Sequence, residues 1–121
     1  VVINVTSTAA FQPVATMAVF AATKAFVLSF TEALWWETRD CSVRVLTLCP
    51  GATETEFFAR TGQQFMTRRR QTPDQAVTTA LGALDKSTPT VVSGTMNSLS
   101  TLAYRFMPRR AMAMMSGQMV R

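Results

Sequence analysis

The chain has 121 residues, with 12 Lys and Arg against 7 Asp and Glu and no His. Apolar residues make up 48% of it, which is enough for a packed core, so global disorder is excluded and the length corresponds to one domain or part of one. Because His is absent, Ser-His-Asp catalysis, Cys-His catalysis and His-ligated metal sites are excluded within these residues.

The cysteines, the first residues and the charge distribution bear on the cellular compartment, the start of the chain and its charged surface. Two isolated thiols, Cys41 and Cys49, suit a reducing compartment and predict a cytoplasmic location. We expect no membrane-spanning segment and no signal peptide, and the strand-like start without an initiator Met suggests a fragment whose N-terminal part is missing. Nine of the 12 Lys and Arg follow residue 59, so the basic character belongs to the second half. That half is interpreted mainly as a solvated loop and tail, and no nucleic-acid motif accompanies it.

The first half of the chain alternates between strand and helix patterns. Val1–Thr6 is a β-branched run that predicts a strand buried on both faces, and Ser7–Met17 has the composition of a loop. Ala18–Arg39 lacks Gly and Pro and predicts a long helix. Val43–Cys49 predicts a second strand, which Pro50-Gly51 ends.

The second half continues this alternation and then changes character. Thr72-Pro73-Asp74 has the residues of a helix start, and the helix should continue to Leu84. Thr90–Ser93 predicts a third strand. The basic, Met-rich tail looks helical in two pieces divided by Pro108.

Apolar strands joined by helices imply parallel pairing and right-handed crossovers. The predicted fold class is therefore α/β, the C-terminal part of a doubly wound parallel-sheet (Rossmann-like) domain with a helical C-terminal tail. We assign residues 1–94 to the partial domain and residues 95–121 to the tail. An edge of the sheet would lie open where the missing half belongs, which argues against stable folding of these residues alone.

Three positions are candidates for chemistry. Ser7 follows the first strand, and ligands of open α/β sheets bind at the carboxyl ends of strands. Lys24 shares a helix face with Phe20, and Pro50-Gly51 ends the second strand where a glycine lets a ligand approach the backbone. Each also has an ordinary interpretation, as a loop residue, a surface lysine and a plain turn.

Together these positions resemble the C-terminal half of the short-chain dehydrogenase/reductase family. That family has a Ser, a Tyr thirteen positions later and a Lys four after the Tyr, and Ser7, position 20 and Lys24 have this spacing. The segment AATKAFVLSFTEALWWE is similar to the family's active-site helix, and CPGATETEFF resembles its Pro-Gly-x-x-x-Thr element. The resemblance extends from Val1 to roughly Gly94.

The resemblance implies a role for each matching residue. Ser7 would hold the substrate carbonyl oxygen, and Lys24 would bind the nicotinamide ribose and lower the pKa of a phenol at position 20. In the cofactor site, the three residues Pro50, Gly51 and Thr53 would line the nicotinamide, and Thr55 would meet its carboxamide. The implied activity is NAD- or NADP-dependent hydride transfer between the cofactor and a carbonyl or alcohol substrate.

Two departures from the family pattern matter for this activity. Position 20 is Phe, which has no hydroxyl, although it occupies the catalytic position. The glycine-rich phosphate loop would lie before Val1, and no G-x-G spacing occurs in the chain. The alternatives are therefore a non-catalytic relative that serves binding or subunit pairing, or a truncated gene fragment.

Substrate and partners are inferred from apolar residues. The substrate is expected to be apolar, because Met and Phe residues occur in a predicted lid (Phe57, Phe58, Phe65, Met66) and in the tail. The resemblance implies a homo-oligomer, because the equivalent of helix 18–39 packs against its copy in family dimers. For residues 96–121, two alternatives stay open: the tail covers the substrate pocket or core, or it lies on an anionic membrane.

Overall fold

The computed structural model describes residues 1–53 and 70–120. The elements in this part of the chain follow one another in the order β1 (Val2–Val5), a 3-10 helix (Thr8–Phe11), α1 (Ala18–Glu37), β2 (Val45–Cys49), α2 (Pro73–Leu84), β3 (Thr90–Val92), α3 (Thr95–Tyr104) and α4 (Arg109–Met119). The predicted alternation of strands and helices is therefore confirmed, including the break at Pro108 within the tail. The short 3-10 helix lies in a segment predicted to be loop.

The three strands form one parallel sheet in the order β1-β2-β3. In the register, Ile3 lies beside Leu46, and Leu48 lies beside Val91. Parallel neighbours need a crossover, and α1 makes the one between β1 and β2. The predicted α/β class with a Rossmann-like parallel sheet is confirmed.

Different helices pack against the two faces of the sheet. On one face Leu46 and Leu48 pack against Ala80 and Ala83 of α2, and this cluster is the hydrophobic core of the described residues. The local sequence explains where α2 begins, because the Thr72 hydroxyl accepts a hydrogen bond from Gln75 N while the Gln75 side chain accepts one from Thr72 N.

The opposite face of the sheet carries α1. Asn4 Nδ2 donates a 2.9 Å hydrogen bond to Thr31 Oγ1, which in turn donates to the Val27 carbonyl within the helix. Thr31 is fully buried, and its hydroxyl needs such partners because an unpaired buried polar group is costly. This pair of hydrogen bonds sets the position of α1 over β1.

The expectation that the first strand is buried on both faces is wrong. Val2 is 39% exposed and Val5 is 53% exposed, whereas all five residues of β2 are buried. The reason is position, since β1 lies at an edge of the described sheet and β2 lies between two strands.

The expectation about membrane-spanning segments also needs correction. By length and composition alone, the 20-residue helix α1 is apolar enough to cross a membrane. The same criterion is met by core helices of soluble proteins, and α1 buries Ala21, Leu28 and Thr31. Its outward face keeps large apolar side chains exposed, and this feature bears on assembly below.

The two cysteines lie in contrasting surroundings. Cys41 is exposed, whereas Cys49 is fully buried at the end of β2. Burial in a poorly solvated site, and secondarily the charge of Glu32, raise the pKa of the Cys49 thiol from 9.0 to about 12. A thiol that stays protonated in the core is a packing group rather than a nucleophile.

We expect selective alkylation of the two thiols. Iodoacetamide at pH 8.5 should label Cys41 in the folded full chain and leave Cys49 unlabelled until urea unfolds the protein. Between about pH 9 and pH 12 the unfolded chain loses a thiol proton that the folded chain keeps, so the free energy of unfolding should fall as pH rises. Peptide mass spectrometry checks the labelling, and equal rates at both cysteines would contradict this account.

Candidate functional site

The candidate site begins where β1 and β2 end. Backbone pairing continues past the end of β1, with Thr6 N donating to the Leu48 carbonyl of β2 at 2.8 Å and Thr8 N donating to the Pro50 carbonyl after β2 at 3.0 Å. The first strand's exit, which carries Ser7, is therefore held directly beside the Pro50-Gly51 turn. Ser7 Oγ accepts a hydrogen bond from Ala9 N at 3.1 Å and caps the 3-10 helix.

A buried threonine brings α1 to the same place. Thr6 is 2% exposed, and its hydroxyl donates a 2.6 Å hydrogen bond to the Lys24 carbonyl. The Lys24 ammonium donates to the Val5 carbonyl at 3.3 Å, so the lysine is attached to the strand at both its backbone and its side chain. Sequence reasoning did not single out Thr6, since threonine is an ordinary residue at the end of a strand.

The Lys24 side chain also meets Phe20, one helical turn earlier. The ammonium nitrogen lies 5.6 Å from the centroid of the Phe20 ring, which is within the range of a cation–π contact. The ring gives this contact a negatively polarised face but no proton. The predicted catalytic residues Ser7, Phe20 and Lys24 therefore line one cavity, in which position 20 contributes an apolar wall.

The predicted cofactor residues that follow β2 border the same cavity. Pro50, Gly51 and Thr53 line it, and the Thr53 hydroxyl donates to the Gly51 carbonyl at 3.0 Å. Thr55 lies outside the described residues. The same holds for the four predicted lid residues named above and for most of the basic loop that follows them.

Gly51 has a structural role that the sequence did not reveal. A Cβ added there would overlap the Asn97 side-chain amide, whose Nδ2 donates a 2.8 Å hydrogen bond to the Ser93 carbonyl. The space left by the missing side chain is thus filled by α3, which packs on this turn. A side chain at this position would force the Asn97 amide to move, so Gly51 has a packing role within the chain whether or not a ligand approaches.

The tail supplies the remaining wall of the cavity. The Ser116 hydroxyl of α4 accepts a hydrogen bond from Ala15 N at 2.7 Å, which joins segments 101 residues apart. The cavity has a volume of about 580 Å³, and the tail residues that line it are Tyr104, Met107, Met112, Met115, Ser116, Met119 and Val120. Of the two alternatives for the tail, the structure places it over the predicted pocket, and membrane contact stays a prediction. The clustering of Met in the tail was the available sequence signal.

A compensation experiment tests the role of Gly51. We expect Gly51→Ala to lower the free energy of unfolding of the full chain by about 1–3 kcal/mol, because the new methyl group overlaps Asn97. Asn97→Ala alone should cost about 1 kcal/mol through its lost hydrogen bond. The double variant should cost no more than Asn97→Ala alone in urea denaturation, whereas additive losses would show that Asn97 is not the obstacle.

Comparison with known proteins places this arrangement in a family. A family model described as short chain dehydrogenase matches residues 1–65. Among solved structures, a short chain dehydrogenase from Burkholderia cenocepacia J2315 in complex with NADP is 28% identical, with a TM-score of 0.73 over 90% of this chain and 45% of that one. A short-chain dehydrogenase from Sphingobium yanoikuyae in complex with NADPH is 26% identical, with a TM-score of 0.69 over 86% of this chain and 43% of that one.

A third structure supports the fold alone. An alcohol dehydrogenase from Comamonas testosteroni, specific for bulky-bulky ketones, is 23% identical, with a TM-score of 0.62 over 86% of this chain and 40% of that one. A comparison with curated proteins found no match. The chain thus spans less than half the length of the structures that it resembles. The family match and the parallel sheet together show that the chain belongs to the short-chain dehydrogenase family.

Proposed function

We propose that the protein to which these residues belong is an NAD(P)-dependent oxidoreductase that transfers a hydride between a nicotinamide cofactor and a carbonyl or alcohol substrate. The observation that carries the proposal is the convergence of Ser7, Lys24 and the Pro50-Gly51 turn on one cavity at the carboxyl edge of a parallel sheet. The NADP and NADPH in two related structures support the choice of cofactor.

The polar groups of the site fit the nicotinamide end of such a cofactor. The Lys24 ammonium and the hydroxyls of Ser7 and Thr53 are the hydrogen-bonding side chains that suit a ribose and a carboxamide, and they border the cavity from both strand ends. We assign Lys24, Pro50, Gly51 and Thr53 to this end, with Thr55 added from the sequence. When bound, the nicotinamide supplies or accepts the hydride, while these residues bind and orient it.

The cavity also supports an apolar, uncharged substrate. Its walls combine the methionines of the tail with Val14, Met17 and Phe20, and Lys24 is the single charged side chain among the described lining residues. Such walls favour burial of a hydrocarbon body and disfavour a carboxylate or phosphate that would have to shed its water. Ser7 would then orient the carbonyl or alcohol oxygen, which is the polar part of the substrate.

A second candidate function follows from Phe20. A phenyl ring cannot supply the proton that the family's tyrosine supplies, and Lys24 contacts its face rather than a hydroxyl. The alternative is therefore a non-catalytic relative that uses the same cavity for binding or the same fold for subunit pairing.

Restoring the hydroxyl distinguishes these two functions. We expect Phe20→Tyr in the full chain to raise kcat for reduction of apolar ketones, and the rise reaches the 10²–10⁴-fold that a general acid typically contributes only where no other group in the cavity supplies the proton. The matched control is Phe11→Tyr, which adds the same hydroxyl at the end of the 3-10 helix, outside the described cavity lining. The loss of NADPH absorbance on oxidation reports turnover, and cofactor fluorescence reports NADPH binding.

The outcomes of this experiment are distinct. Turnover in the unmodified protein, or turnover that first appears in Phe20→Tyr, supports the oxidoreductase. NADPH binding with turnover at background in both forms favours the non-catalytic relative. A full chain that neither binds NADPH nor turns over any ketone contradicts the proposed function.

We also propose that the protein pairs with a second copy through α1. Phe26 and Phe30 are 70% and 53% exposed, and their rings stack with centroids 6.1 Å apart on the face of α1 that points away from the sheet. Exposed aromatic pairs of this kind are typical of interfaces, where they bury large apolar areas. The family resemblance, in which the equivalent helix forms a dimer, supports a second copy as the occupant.

Charge substitution on this face tests the pairing. We expect Phe26→Glu/Phe30→Glu to convert the full chain from dimer to monomer, because two buried carboxylates per subunit would have to be desolvated. Leu81→Glu, an exposed apolar position on α2, is the control and should leave the dimer intact. Size-exclusion chromatography with light scattering measures the mass, and a dimeric double variant would contradict the proposal.

A further inference from the structure

Reduction of a carbonyl requires a proton as well as a hydride, and Phe20 cannot provide it. Serine and threonine hydroxyls are very weak acids, so Ser7 and its neighbours are suited to hydrogen bonding rather than to donating a proton. The reduction therefore needs another acid within the cavity.

Among the described residues that line the cavity, two side chains are titratable: Lys24 and Tyr104. Tyr104 is also the single tyrosine of the 121-residue sequence. The Lys24 ammonium is directed to the Val5 carbonyl and the Phe20 ring, which holds it against the wall formed by β1 and α1. Tyr104 lines the same cavity from the end of α3.

The packing of α3 explains this approach. Asn97, Thr101 and Tyr104 follow one another at helical spacing and share a face of α3. On that face Asn97 lies against Gly51, Thr101 is 6% exposed, and α3 contacts the 3-10 helix that Ser7 caps. Tyr104 is half-buried, and its position on this face accounts for its place in the cavity wall.

We propose that the Tyr104 hydroxyl is the proton donor and acceptor of this site, in place of the hydroxyl that position 20 lacks. This inference rests on the proposed oxidoreductase function. As the carbonyl carbon takes up the hydride, the electron pair of the C=O double bond moves to oxygen, and the phenol proton passes to that oxygen. The Tyr104 phenolate regains a proton from water at the open side of the cavity, and alcohol oxidation runs through the reverse transfer.

The first test removes the hydroxyl and keeps the ring. Tyr104→Phe in the full chain should lower kcat for ketone reduction by about 10²–10⁴-fold while KM changes only a few-fold. Ser100→Ala is the matched control, because it removes a hydroxyl that bonds the Met96 carbonyl on the same helix. It should leave kcat and KM near their original values.

The second test asks whether the two hydroxyl positions replace each other. In a Phe20→Tyr background, Tyr104→Phe should cost less than about tenfold in kcat, because the restored tyrosine beside Lys24 donates the proton. A purely structural contribution of Tyr104 would cost the same in both backgrounds. An equal loss in the two backgrounds would therefore overturn the proposal, as would full activity of Tyr104→Phe.

The third test needs neither turnover nor cofactor. Acetophenone labelled with carbon-13 at its carbonyl is bound to the full chain, and the infrared stretch of that carbonyl is recorded. A hydrogen bond from Tyr104 lowers the stretching frequency, so the band should move to higher frequency in Tyr104→Phe and stay in place in Ser100→Ala. An unchanged band in Tyr104→Phe overturns the proposal. A protein that shows this band shift but neither binds NADPH nor turns over contradicts the oxidoreductase function while keeping the hydroxyl–carbonyl contact.

Discussion

The parallel pairing of β1 with β2, continued beyond both strands, is the constraint on which the site depends. Two backbone hydrogen bonds, from Thr6 N to the Leu48 carbonyl and from Thr8 N to the Pro50 carbonyl, hold the two strand exits side by side. Because these groups belong to the main chain, the arrangement tolerates wide variation in the side chains around it. The hydroxyl of Thr6 then ties α1 to the same point, so one short segment of strand positions both the serine and the lysine.

The cavity is assembled from segments that are distant in the sequence. The loop after β1, the start of α1, the turn after β2 and the end of α3 each contribute one wall, and α4 is joined to the first loop by the hydrogen bond between Ala15 N and Ser116. Methionines dominate the tail side, and their flexible thioethers can adapt to ligands of different shape. Ser7, Lys24 and Tyr104 are polar lining residues, so the cavity combines reactive side chains with largely apolar walls.

At position 20, the absence of one oxygen atom leaves the packing of the fold intact but removes a possible proton donor. Phenylalanine has the same ring as tyrosine and a similar volume, and it keeps the contact with Lys24. Helix α1 can therefore pack in the same way with either residue at position 20. The missing oxygen removes one titratable group from the cavity. Among the described lining residues, the titratable side chains are then Lys24 and Tyr104. The consequence is that family membership, which rests on packing and backbone pairing, is compatible with more than one source of the proton.

The sequence alone determined the order and type of the elements, because the apolar runs, the Thr72-Pro73 helix start and the Pro50-Gly51 stop are local signals. The resemblance to the short-chain dehydrogenase family implied that Ser7, Lys24 and Pro50-Gly51 belong to one site, and all of them line the cavity. The sequence did not predict the exposure of β1, which depends on its place at an edge of the described sheet, or the membrane-compatible length and composition of α1. Only the tertiary structure showed that Asn97 fills the space at Gly51 and that Tyr104 lines the cavity, and only it decided between the two alternatives for the tail. These are contacts between distant segments, which depend on how helices pack on the sheet and leave no local pattern in the sequence.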